Sequence, residues 1–71
     1  MKNLKYRLSL LRNQANMTQE ELAKKGFVVR GTIANYENMR RSPSLEIIVG
    51  YSELFNVSTD WILKGDKNGM D

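Results

Sequence analysis

With 71 residues and neither cysteine nor histidine, the chain has no disulfide and no Cys/His zinc site to staple a small fold. Its own apolar faces must therefore hold it together by packing. The same gap removes the thiolate nucleophile and the imidazole base, the serines have no histidine partner, and the acids form no cluster with metal-ligand spacing. No enzyme activity, cofactor, metal or small-molecule ligand is expected. The length supports one domain. Hydrophobic residues at 41% and charged residues at 27% place it among ordinary globular chains. Apolar runs such as Ile47-Ile48-Val49 fall far short of the roughly 20 residues that span a bilayer, and the basic start at Lys2 and Lys5 leads into no apolar signal block. A cytoplasmic protein with no membrane partner is the expectation. Eleven Lys and Arg against eight Asp and Glu leave +3, a balance that suits a polyanion.

Helical spacing runs through the chain, with no alternating stretch long enough for a strand, so the fold class is all-α with about five short helices. The first is predicted from Leu4 to Ala15, with Leu4, Leu8, Leu11 and Ala15 inward, Lys5, Arg7 and Arg12 between them, Asn3 as cap and Asn16 as a left-handed stop. Thr18-Gln19-Glu20-Glu21 is a capping box, in which the Thr18 hydroxyl and the Glu21 carboxylate exchange hydrogen bonds with each other's amides. A second helix opens at Gln19, carries Leu22 and Ala23 inward and stops at Gly26 after about two turns. The third, from Arg30 to Glu37 with Ile33 and Tyr36 inward, starts poorly: Val29 stands where a capping Ser or Asp would, and Gly31 lies in the first turn. Ser42-Pro43-Ser44 ends a basic loop and opens a fourth helix with Leu45, Ile48, Ser52 and Phe55 inward. Ser58 caps a fifth that holds Trp61, Ile62 and Leu63 and closes at Gly65. The domain is expected over 1–64, followed by a flexible tail at 65–71.

Two short helices between Gln19 and Asn38 with a turn near Gly26 have the helix-turn-helix arrangement. Four segments in order, Met17 to Ala23, Thr32 to Asn38, Pro43 to Glu46 and Asn56 to Leu63, resemble the lambda-repressor-like family of phage Cro and repressor proteins, and the likeness covers nearly everything from Leu8 to Leu63. The resemblance implies a compact five-helix DNA-binding domain. Its function would be that of a transcriptional regulator, most often a repressor, which binds a palindromic double-stranded DNA operator as a homodimer with the third helix in the major groove. Base contacts would come from Arg30, Gly31, Thr32, Ala34 and Asn35. A guanidinium at Arg30 suits guanine O6 and N7, and the Asn35 amide suits adenine. The resemblance assigns phosphate contacts to Gln19, Asn38, Arg40 and Arg41, an internal ion pair to Arg12 and Glu37, and a dimer surface to Val57, Trp61 and Ile62.

The chain departs from that family at Gly26-Phe27, where members have Leu then Gly, at Val29, which replaces a capping Ser or Thr, and at Met39, which replaces a Gly. Its spacing from Leu22 to Ile33 is kept. Read outside the motif, the Arg30 to Asn35 face and the Arg40-Arg41 pair are solvated polar surface and Gln19 is a good first-turn residue. A restriction-modification controller or an antitoxin would use the same fold, and a protein-interaction module would keep it without binding DNA.

Overall fold

Each helix begins or ends at a residue whose local chemistry demands it, and those punctuation points fix the path of the chain. The computed structural model describes residues 3–26 and 28–65, and these form α1 (Leu4–Gln14), α2 (Gln19–Gly26), α3 (Arg30–Glu37), α4 (Leu45–Phe55) and α5 (Thr59–Lys64), with no strand among them. The capping box opens α2: the Glu21 amide donates to Thr18 Oγ1 at 3.1 Å and the Thr18 amide to Glu21 Oε1 at 2.8 Å. Those bonds from Thr18 hold the Glu21 carboxyl below its ordinary pKa. Ser44 Oγ accepts from the Ile47 amide at 3.3 Å to open α4, and Ser58 Oγ from the Trp61 amide at 3.0 Å to open α5. At the start of α1 the expectation fails, because Asn3 takes a left-handed conformation with φ 63° and its side chain caps nothing.

Three helices end alike. After α1, α3 and α4 the chain passes through one left-handed residue, Asn16, Met39 and Asn56 respectively. The following amide then reaches back to a carbonyl five residues earlier: Met17 to Arg12, Arg40 to Asn35 and Val57 to Ser52. Asparagine tolerates that conformation, but methionine pays for its Cβ, and Met39 at φ 56° stands where glycine would be relaxed. Met39→Gly is expected to stabilise the domain by about 1 kcal/mol. In a domain of this size that corresponds to a melting temperature about 4 to 8 °C higher, measured by circular dichroism.

The core is built where helical spacing puts it, with Leu4, Leu8 and Leu11 of α1, Leu22 and Ala23 of α2, Ile33 and Tyr36 of α3, and Ile48 and Tyr51 of α4 all buried. The short α2 packs on α3, α1 lies against α3 and α5, and α4 meets α5. Three expectations need correction. Ala15 is exposed and lies beyond the end of α1. On α4, Ile48 and Tyr51 are buried and Phe55 packs half-buried against the core as expected, while Leu45 points outward at 75% exposure and Ile47 takes the first-turn contact with the core instead. Ile62, assigned to a dimer surface, is wholly buried against the core and has no surface left to offer a second chain. Gly65 ends α5 at φ 87°, a conformation open to glycine, and its amide bonds to the Trp61 carbonyl at 2.8 Å. The remainder of the expected tail, 66–71, lies outside the described residues, as does Phe27.

Arg7, expected between the inward leucines of α1, is itself fully buried. Its Nε donates to the Ile62 carbonyl at 2.8 Å and an Nη to the Leu63 carbonyl at 3.0 Å, so it satisfies carbonyls at the end of α5 and ties the first helix to the last. Burial lowers the pKa of its guanidinium, which nonetheless stays charged. The spacing did carry the signal. Leu4, Arg7, Leu8 and Leu11 form one i, i+3, i+4, i+7 face, and an arginine on such a face is buried with its partners or not at all.

Candidate nucleic-acid interface

The first helical turn of α3, like that of α1, has no side-chain cap. Val29 takes extended N-cap geometry, φ −85° and ψ 156°, and its side chain makes no capping bond. Only its backbone carbonyl contributes there, accepting from the Thr32 amide at 3.0 Å. Packing fixes the helix instead, through buried Ile33 and Tyr36.

At its other end α3 is clamped by charge. Arg12 donates through Nε to Glu37 Oε2 at 2.7 Å and through an Nη to Oε1 at 2.9 Å, a bidentate pair between largely buried side chains, while its second Nη reaches the Met17 carbonyl at 2.8 Å. The hydrogen bonds to Glu37 raise the Arg12 pKa. The Gln19 side-chain amide donates to Glu37 Oε1 at 3.2 Å. One carboxylate therefore collects the end of α1, the start of α2 and the end of α3. The resemblance had proposed the Arg12–Glu37 contact but gave no hint of the inward bond from Gln19. That bond uses one of the two side-chain amide protons of Gln19, which is half-buried.

With Ile33, Tyr36 and Glu37 held inward, helical geometry sets the opposite face. Arg30, Gly31, Ala34 and Asn35 fall within an arc of about 140°, and Thr32 lies about 60° beyond its edge. Arg30 and Gly31 are exposed, and Thr32, Ala34 and Asn35 are half-buried. A Cβ built on Gly31 would meet nothing within 4 Å, and its φ is not positive, so neither packing nor backbone geometry asks for glycine there. Beyond the helix, Asn38, Arg40 and Arg41 are exposed, and the amides of Arg40 and Arg41 fold back on the Asn35 carbonyl at 2.9 and 3.4 Å. The cations are thus anchored close to the last turn of α3. Val57 and Trp61 are half-buried at the α4–α5 corner. No helix among the described residues is long and apolar enough to cross a membrane.

This arrangement coincides with known proteins. A family model described as Helix-turn-helix matches residues 8–62, a span that reaches into all five helices. The chain is 38% identical over 61 residues to the HTH-type transcriptional regulator ImmR of Bacillus subtilis, covering 86% of this chain and 48% of that protein. It is 34% identical over 61 residues to the HTH-type transcriptional activator BcrR of Enterococcus faecalis, covering 86% of this chain and 30% of that one. An HTH-type transcriptional regulator of Archaeoglobus fulgidus is 36% identical over 67 residues, 94% of each chain. The chain spans half or less of the length of the first two relatives and nearly all of the third. The α2–α3 pair, the clamp that joins it to α1 and the match across the five helices together mean that this chain belongs to the helix-turn-helix family of DNA-binding transcriptional regulators.

Proposed function

We propose that the protein is a sequence-specific repressor that binds a palindromic operator in double-stranded DNA as a homodimer, in the cytoplasm, with α3 in the major groove. The observation that carries this reading is the outward face of α3, where an unencumbered arginine stands beside a glycine that the fold itself does not require. Arg30 reads guanine, Asn35 pairs adenine, and Gly31, Thr32 and Ala34 let the helix lie close to the bases. Gln19, Asn38, Arg40 and Arg41 hold phosphates and supply affinity without sequence choice. Half-buried Val57 and Trp61 supply the contact between two copies.

Selection from a randomised duplex pool at near-physiological salt tests the reading. An enriched palindrome with half-site centres about 10 base pairs apart is expected, because two recognition helices related by a two-fold axis must enter the groove one turn apart. Retention that depends on salt but enriches no sequence would overturn it. The name of the Enterococcus faecalis relative makes activation the second reading, and a reporter placed behind the enriched site separates the two by the sign of its response.

A pair of glycines isolates the role of the α3 face. Gly31 and Gly50 both sit in exposed helix positions with open space where a Cβ would go. Gly31→Ala and Gly50→Ala should each stabilise the domain by about 0.5 to 1 kcal/mol. Only Gly31→Ala is expected to weaken binding to the enriched duplex, by about tenfold, or roughly 1.4 kcal/mol. Melting curves and duplex titrations of the two variants check this.

A further inference from the structure

The side chain of Val29 is out of place for a soluble helix start. It is 71% exposed, makes no capping bond and directly precedes Arg30 at the end of α3 that the proposed function turns toward the bases. A serine there would satisfy one of the unpaired amides of the first turn, and the chain instead presents a rigid, β-branched apolar group to the outside. Among base edges in the major groove, the apolar partner for such a group is the thymine C5-methyl, which the other three bases lack. Two residues on, Gly31 carries no side chain, and a Cβ built there would meet only open space.

We infer that Val29 is a specificity-determining residue that packs against the methyl group of a thymine neighbouring the guanine read by Arg30, and so selects thymine over cytosine at that position. The inference rests on the DNA-binding reading above. It extends that reading by assigning to an uncapped valine a base preference that hydrogen-bond donors on α3 do not supply.

The test uses the whole chain and the duplex enriched by selection, with each thymine replaced in turn by deoxyuridine, which removes the methyl group and changes no Watson–Crick edge. The wild type should lose about fourfold in affinity at one position per half-site, the worth of one buried methyl group. Val29→Ala should bind the thymine and deoxyuridine duplexes equally. Val29→Ser should do the same while melting no lower than the wild type, which separates loss of the contact from loss of the fold. The wild type should also recover affinity when a cytosine placed at that position is replaced by 5-methylcytosine. An enriched duplex with no methyl-sensitive position, or with a sensitivity that survives in Val29→Ala, would overturn the role of Val29 and leave the DNA-binding reading intact. Failure to enrich any duplex would overturn both.

Discussion

Arg7→Ala is expected to unfold most of the protein at 37 °C. The substitution withdraws a fully buried guanidinium from the Ile62 and Leu63 carbonyls at the end of α5. Each buried polar group left without a partner costs about 1 to 3 kcal/mol, and the space vacated by the long side chain adds a cavity term. The sum, on the order of 3 to 5 kcal/mol, is comparable with the whole stability of a domain this small, about 0.05 to 0.15 kcal/mol per residue. Urea denaturation followed by circular dichroism reads the loss directly. Arg7→Lys keeps a charge but offers one compact ammonium in place of a planar fork, and should fall between the wild type and Arg7→Ala. An Arg7→Ala protein with wild-type stability would mean that α5 is held by its apolar contacts alone.

The second large effect lies at the Glu37 carboxylate. Arg12→Met should lose on the order of 3 kcal/mol, because it strands a largely buried acid that keeps only the amide of Gln19. Replacing both members, as Arg12→Met with Glu37→Leu, should recover much of that loss, since an apolar pair of similar volume has no charge to desolvate. A double-mutant cycle by denaturation is expected to give a coupling above 1 kcal/mol. Coupling near zero would mean that the pair is screened and that the angle between α1 and α3 is set by leucines. The double variant should also bind DNA less well than its stability implies, because Glu37 positions Gln19 and the end of α3 together.

Helix starts were legible where a capping side chain marks them, as at Thr18 and Ser58, and where Ser42-Pro43-Ser44 opens α4, and the buried pairs Leu22–Ala23 and Ile33–Tyr36 followed from spacing. The departures have one cause: burial depends on what lies opposite, and a single helix does not carry that information. Leu45 has the right period but is left exposed while Ile47 packs on the core, and Arg7 has a charge but is buried against the Ile62 and Leu63 carbonyls. Ile62 belonged to an apolar cluster that the sequence could not divide into inner and outer members, and the core took it. Among the site residues, spacing alone suffices to put Arg30, Gly31, Ala34 and Asn35 on one arc. The inward bond of Gln19 was not legible, since it depends on the Glu37 carboxylate already fixed by Arg12. Val29 and Met39 announced themselves differently, as residues that suit their local backbone badly.

The central claim is that the outer face of α3 reads bases, and the most direct measurement is the affinity of Arg30→Ala for the enriched duplex and for variants carrying each alternative base pair. Arg30 takes no part in the core, so the variant should melt as the wild type does. The account predicts a loss of about 1 to 3 kcal/mol confined to one guanine per half-site, at which the variant no longer discriminates among bases. Unchanged discrimination at every position, or an equal loss on all sequences, would contradict it.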